Sequence, residues 1–277
     1  MCHANLISLS IAPVNVIVGK RYDDLISSIG LMKEICSRNV LDGFELQLLE
    51  EWDACNPPKD ERGRRLPAWR DSVKYSSKDI AALIKEAGVP ILTVHAKRDI
   101  GIDLCSGNAD DVKEGRRLAE EALRFAEVIG ARVCVFHLWD TWKEKIDLPL
   151  LSDTLAEISL GFPTVRASVE NVPTHLPGHT PLDLAKRFPW ITLDLQWAAL
   201  YHEFDGFEKV KDRIVNVHLR GELEQAVWTL KNSPFGFYEA LEKIRTQWGY
   251  QGVLTMEPNG LREGQLERLI AAMRSIV

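Results

Sequence analysis

Eight short apolar segments, each followed by a stretch with helical periodicity, run from one end of the chain to the other. Residues 111–130, for example, carry Leu118, Ala122, Phe125 and Ile129 at spacings of three and four. Strict alternation of strands and helices indicates a parallel sheet, and eight such units favour a (β/α)8 TIM barrel, a parallel eight-stranded barrel with outer helices. The predicted strands are 6–11, 43–49, 90–97, 132–139, 165–171, 190–196, 214–220 and 252–258.

A doubly wound parallel sheet is the alternative architecture with the same alternation. Its commonest use is nucleotide binding, yet neither GxGxxG nor GxxxxGK[ST] follows any predicted strand. The length of 277 residues suits one α/β barrel, so we expect a single domain over residues 1–277. The long segment 51–76, between the second strand and its helix, is predicted to be either a solvated insertion or a lid.

The charge balance limits the class of partner. The chain has 34 basic and 40 acidic residues, and the formal net charge of −6 gives no general attraction to nucleic acid or to an anionic membrane. Five cysteines without a CxxC pair favour a reducing compartment. No apolar run approaches the ~20 residues of a membrane span. We therefore predict a cytoplasmic protein without a nucleic-acid or membrane partner, and leave a homo-oligomer open.

Three predicted strands carry polar residues on one face, whereas strands covered on both sides are usually apolar throughout. Because side chains alternate with a period of two, each polar row points one way. We expect these rows to line the barrel interior near its mouth. They are Arg166, Ser168 and Glu170; Thr192, Asp194 and Gln196; and Asn216, His218 and Arg220.

Ionisable side chains fall near the carboxyl ends of six predicted strands, which in a TIM barrel form the mouth where catalytic residues lie. One such residue alone is more often a structural hydrogen-bonding group, but six in the same placement favour a site. Converging carboxylates repel one another, and a divalent cation offsets several buried negative charges at once. The mixed oxygen and nitrogen set suits Mn²⁺, Mg²⁺, Co²⁺ or Zn²⁺ equally. The six residues are His95, His137, Glu170, Asp194, His218 and Glu257.

Over essentially its whole length the chain resembles the xylose isomerase-like TIM barrels, which include the sugar phosphate isomerases and epimerases and AP endonuclease family 2. The segments that carry the resemblance are, in order, DGFEL, TVHA, ARVCVFH, ASVENVP, ITLDLQWA, NVHLR and GYQGVLTMEP. The resemblance implies one divalent metal ion and that His95 and His137 contact substrate or a second metal. The residues matching the single-metal ligands are Glu170, Asp194, His218 and Glu257.

Two places depart from the family's pattern. Trp197 stands where many relatives have a histidine, and Arg220 and Gly221 stand where many have an acidic residue after the strand-seven histidine. The endonuclease branch needs additional ligands at these places, which argues against DNA repair. We expect Trp197 to offer a flat wall to a sugar face, and Arg220 to orient a hydroxyl or a phosphate together with the two strand-end histidines.

These expectations combine into a predicted function. The chain is interpreted as a metal-dependent isomerase or epimerase of a sugar or related polyhydroxy carbonyl compound, with or without a phosphate group. Proton transfer would pass through a metal-stabilised enediolate, with Glu170 and Glu257 as acid and base. Three alternatives stay open: an inosose-type dehydratase, a metal-dependent endonuclease or phosphodiesterase, and a barrel that binds a sugar without turnover.

Overall fold

Eight parallel strands close into a barrel in the computed structural model, which describes residues 5–55, 67–224 and 226–276. The barrel strands are β1 Leu6–Ser10, β2 Gly43–Gln47, β3 Ile91–His95, β4 Val133–Phe136, β5 Arg166–Glu170, β6 Ile191–Asp194, β7 Ile214–Glu224 and β9 Val253–Asn259. The last strand pairs in parallel with both β7 and β1, which closes the ring. The predicted (β/α)8 TIM barrel is confirmed.

Helices surround the barrel and begin and end where local chemistry requires. The α-helices of the described residues are α1 Leu25–Cys36, α2 Pro67–Asp71, α3 Ser77–Ala87, α4 Asp99–Leu104, α5 Ala109–Ile129, α6 Leu148–Ser159, α7 Pro181–Ala185, α8 Leu195–Leu200, α9 Phe237–Glu242 and α10 Leu266–Arg274. A capping box between Ser76 and Asp79 starts α3, and Gly130, with a φ of 81°, ends α5. Among the described residues, no helix combines the length and the apolarity that a membrane crossing requires.

The sixth and seventh strands differ from the prediction. Strand β6 ends at Asp194, because this side chain accepts the Trp197 N–H at 2.9 Å and so starts α8. Gln196 therefore lies in a helix and not in the predicted polar row. Strand β7 continues beyond the barrel and pairs antiparallel with β8 Val227–Thr229, a hairpin that the strand and helix alternation does not predict.

Hydrogen-bonded polar side chains line the barrel interior. Ser168 and Thr192 bond across neighbouring strands at 2.6 Å, and Thr255 donates to the Asn216 side chain at 2.9 Å. Arg166, predicted to belong to the interior row, is instead exposed at the start of β5, with its guanidinium 4.7 Å from the centre of the Trp190 ring. The apolar residues that alternate with the polar ones pack with the helices into the main hydrophobic core.

The segment 51–76 is described only in part. Trp52 is buried, and its indole N–H donates to the Asp23 carbonyl at 2.7 Å. The Trp69 indole donates to the Asp53 carbonyl at 2.6 Å. Residues 56–66 lie outside the described ranges, so the lid remains a prediction.

Gly101 in α4 lies against the backbone that follows β4. A Cβ at this position would stand 2.5 Å from the His137 carbonyl oxygen and 2.9 Å from the Trp139 amide nitrogen. Because these backbone atoms cannot rotate away, Gly101→Ala should lower the free energy of unfolding by about 1–3 kcal/mol. Gly30→Ala in α1 is the control, since a Cβ there meets nothing within 4 Å. Urea unfolding of both variants measures the difference, and equal effects would contradict the close contact.

Candidate functional site

Four carboxylates and three imidazoles converge at the carboxyl ends of the barrel strands. All six ionisable residues predicted at the strand ends belong to this group, and the structure adds Glu45 from β2. We call the group the carboxylate–imidazole cluster. Its members are Glu45, His95, His137, Glu170, Asp194, His218 and Glu257.

His218, on β7, is fully buried among three of the carboxylates. Its Nε2 lies 3.1 Å from Oε2 of Glu45, and its Nδ1 lies 3.3 Å from Oε2 of Glu170 and 3.6 Å from Oε1 of Glu257. Burial by itself would lower the pKa of His218, but the carboxylates outweigh burial and raise this pKa well above its ordinary value. The surrounding carboxylates therefore favour the protonated form of the imidazole.

Glu170 contacts the other two imidazoles. Its Oε2 lies 3.3 Å from Nε2 of His95 and 3.1 Å from Nε2 of His137, whose rings meet edge to face at 4.7 Å. Burial would raise the pKa of Glu170, but His218 and His137 outweigh it and hold this pKa well below its ordinary value. The neighbouring imidazoles therefore favour the ionised form of Glu170, which has no exposed surface.

Glu45 is the residue of the cluster that sequence reasoning missed. It lies in the middle of β2, fully buried, and accepts a hydrogen bond from the Thr93 hydroxyl at 2.9 Å. The signal was present, because Glu45 alternates with Phe44 and Leu46, which belong to the hydrophobic core. A carboxylate at such a position of a buried strand points to the barrel interior.

Asp194 is held by the Asn171 side chain at its backbone and by the Arg220 guanidinium at its carboxylate. The Asn171 side chain accepts the Asp194 N–H at 2.6 Å and donates to its carbonyl at 3.2 Å, which fixes the end of β6. Nε of Arg220 lies 3.1 Å from Oδ2 of Asp194, and Nη2 of Arg220 lies 2.7 Å from Oε2 of Glu257. Burial raises the pKa of Asp194 to about 7, and Arg220 offsets only part of that effect.

The donor atoms of the cluster fit a divalent cation. One ligand atom each from Glu170, Asp194 and His218 lie within 4.8 Å of one another, and the same holds for Glu45, His218 and Glu257. Oε1 of Glu170, Oδ2 of Asp194 and Nδ1 of His218 are buried without a hydrogen-bond partner among the described residues. Buried carboxylate oxygens and an imidazole nitrogen that make no hydrogen bond are the donor set that a divalent cation uses, once the cation displaces the proton of the imidazole. A third group of His95, His137 and Glu170 meets the same distance criterion.

A cavity of about 670 Å³ opens above the cluster. Trp197, Arg220 and Glu257 form part of its wall, and the Trp197 indole N–H is buried without a partner among the described residues. His95, His137 and Glu170 are not part of this wall. Of the four predicted substrate residues, Trp197 and Arg220 therefore face the cavity, whereas His95 and His137 contact Glu170.

The rest of the cavity wall is rich in amide and hydroxyl groups. Gln196 at the start of α8 donates to the Lys231 carbonyl at 2.8 Å and accepts its N–H at 3.2 Å, which holds the chain after β8 at the cavity. This arrangement can exchange hydrogen bonds with several hydroxyl groups. The polar side chains there include Ser10, Tyr22, Gln47, Gln196, Asn232 and Asn259.

Solved structures share this architecture along nearly the whole chain. The D-allulose 3-epimerase from Methylomonas sp., in complex with D-allulose, has a TM-score of 0.61 at 14% identity, covering 98% of this chain and 90% of that one. The D-psicose 3-epimerase from Clostridium cellulolyticum, with D-tagatose, has a TM-score of 0.63 at 13% identity, covering 98% and 96%.

An AP endonuclease of family 2 from Brucella melitensis is similar as well, with a TM-score of 0.59 at 15% identity and coverage of 94% and 95%. No protein-family model and no curated protein sequence matches the chain. At these identities the similarity concerns the fold. The chain has the fold of the xylose isomerase-like TIM barrels.

Proposed function

We propose that the protein is a divalent-metal-dependent isomerase or epimerase of a sugar or a related polyhydroxy carbonyl compound. The observation that carries the proposal is the carboxylate–imidazole cluster beneath a cavity lined with amide and hydroxyl groups. Similar folds in D-allulose and D-psicose 3-epimerases support it. The net charge of −6 favours a small polyhydroxy substrate over DNA.

The metal ligands of this proposal are Glu170, Asp194, His218 and Glu257. A divalent cation bound there supplies Lewis-acid polarisation of a substrate carbonyl group. Glu45 faces Nε2 of His218 at 3.1 Å, so its carboxylate orients the ring and leaves Nδ1 for the ligand side. The residues alone do not distinguish Mn²⁺, Mg²⁺, Co²⁺ and Zn²⁺.

Proton transfer is assigned to the two glutamates. Glu257, whose side chain is 12% exposed, lines the cavity. We assign to it the removal of a proton from the carbon next to the carbonyl. Removal of that proton leaves an enediolate, and the neighbouring Arg220 guanidinium offsets part of its charge. Glu170, after it takes up a proton from solvent, returns it to the other face of the same carbon and gives an epimer. Return of a proton to the adjacent carbon, while the proton of the neighbouring hydroxyl moves to the former carbonyl oxygen, gives an isomer.

Metal analysis and solvent isotope exchange test this proposal. Metal-replete protein is expected to retain about one divalent ion per chain, and the Glu170→Gln/His218→Ala double variant to retain none. The exposed pair Glu120→Gln/His202→Ala is the matched control and should retain the ion. A panel of ketoses and inososes turned over in D₂O should gain deuterium at carbon.

The outcomes separate the alternatives. Absence of any ion in both the unsubstituted and double-variant proteins contradicts the metal centre. A product lighter by one water identifies the dehydratase, and cleavage of abasic-site DNA that Asp194→Asn abolishes identifies the endonuclease. Thermal stabilisation by a sugar without any product identifies a binding barrel.

A further inference from the structure

One guanidinium lies against three of the four proposed metal ligands. Arg220 donates from Nε to Oε2 of Glu257 at 2.8 Å, and its Nη2 lies 2.7 Å from the same oxygen. Its Nε is also 3.1 Å from Oδ2 of Asp194, and its Nη2 is 3.9 Å from Oε1 of Glu170. Arg220 therefore supplies positive charge at the place where the carboxylates converge.

The oxygen atoms that face Arg220 are the ones left for a cation. Oδ2 of Asp194 and Oε1 of Glu170 are both buried and make no hydrogen bond of good geometry among the described residues. A metal ion that used these oxygens would become a close neighbour of the guanidinium inside a buried site. Two cations at such a distance repel strongly, because little water screens them. The ion and the observed Arg220 contacts therefore compete for the same carboxylate oxygens.

Arg220 also borders the cavity. Its guanidinium carbon lies 5.3 Å from the centre of the Trp197 ring, and the side chain is 24% exposed and forms part of the cavity wall. The guanidinium therefore contacts an aromatic face, a favourable position for a cation, in the same conformation that contacts the carboxylates. A guanidinium released from the carboxylates can keep this aromatic contact at the edge of the cavity.

We infer that Arg220 competes with the metal ion for the ligand carboxylates. Its guanidinium holds these carboxylates in the metal-free protein and turns into the cavity when the ion binds. This inference rests on the metal centre of the proposed function. Once displaced, Arg220 presents its N–H groups to a substrate hydroxyl or carboxylate oxygen. Metal binding and substrate binding are thereby coupled through one side chain, and each strengthens the other.

Titration of metal-free protein with Mn²⁺, followed by calorimetry, tests the competition without any turnover. Arg220→Gln should bind Mn²⁺ about tenfold more tightly or better, because a competing charge is gone. Arg220→Lys keeps the charge but loses the two-nitrogen contact, so its Mn²⁺ affinity should lie between those of the unsubstituted protein and Arg220→Gln. Arg116→Gln, which removes a surface pair with Glu157, is the control and should leave the affinity unchanged.

Thermal unfolding gives a second readout that a merely structural role would not produce. Arg220→Gln should lower Tm in the metal-free protein, since the carboxylates lose their cation, and the deficit should close when Mn²⁺ saturates the site. An Arg220→Gln protein with unchanged or weaker Mn²⁺ affinity overturns the competition while leaving the metal centre intact. If neither unsubstituted protein nor Arg220→Gln binds Mn²⁺, the metal centre itself fails, and the competition fails with it.

Discussion

Glu170→Gln is expected to lower kcat/KM by about 10³-fold or more and to remove the bound divalent ion. The substitution keeps the shape of the side chain but removes a charge that faces all three imidazoles of the cluster, at 3.1–3.3 Å. It thereby removes a proposed metal ligand and one of the two proposed proton-transfer groups at once. Steady-state kinetics on the substrate found by deuterium exchange, with metal analysis of the same sample, measures both effects.

Glu157→Gln is the matched control for this experiment, because Glu157 is an exposed partner of Arg116 and is remote from the cluster in the barrel. It should leave both metal content and kcat/KM unchanged. A Glu170→Gln protein that retains the ion but not the activity would restrict Glu170 to proton transfer. A Glu170→Gln protein that retains both the ion and the activity would show that Glu170 is neither a metal ligand nor a proton-transfer group.

Glu45→Gln is expected to weaken metal binding by about 10–100-fold, although Glu45 is not among the proposed catalytic pair. The Glu45 carboxylate faces Nε2 of His218, and its loss leaves the imidazole less basic and less firmly oriented. Competition of a chromogenic chelator with the protein for Mn²⁺ measures the change. Circular dichroism of the variant checks that the barrel is intact.

Thr93→Val provides a graded comparison for Glu45→Gln. The Thr93 hydroxyl donates to the same Glu45 oxygen that faces His218, so its removal should weaken metal binding in the same direction but by less. Equal affinity in Glu45→Gln and the unsubstituted protein would show that His218 needs no carboxylate behind it.

Most of the barrel is predictable from local pattern. The eight short apolar segments located all eight barrel strands, and the alternation of apolar and polar residues within three of them placed Ser168, Glu170 and His218 on the interior face. The end of β6 was missed because two local forces compete at Asp194. Its side chain continues the strand's alternation and is also a strong helix cap, and the capping interaction with Trp197 ends the strand.

The sequence pattern within a strand does not show which charged side chains of the site contact one another. Arg220 was expected to orient a hydroxyl or a phosphate, whereas the structure pairs it with Asp194 and Glu257. Which carboxylate a long side chain reaches depends on rotamers and on neighbours from other strands, and sequence spacing contains neither. Glu45 was missed for a related reason, since its importance arises from contact with His218, 173 residues away.

The polar lining of the barrel interior has a thermodynamic consequence. Exposure of apolar surface on unfolding raises the heat capacity, whereas exposure of polar surface lowers it. The rungs formed by Ser168 with Thr192 and by Asn216 with Thr255 would therefore reduce the heat-capacity increment per residue relative to a barrel filled with hydrocarbon layers. A smaller increment flattens the curve of stability against temperature. We therefore expect this barrel to keep its site assembled over a broader range of temperature than a barrel with a purely apolar interior.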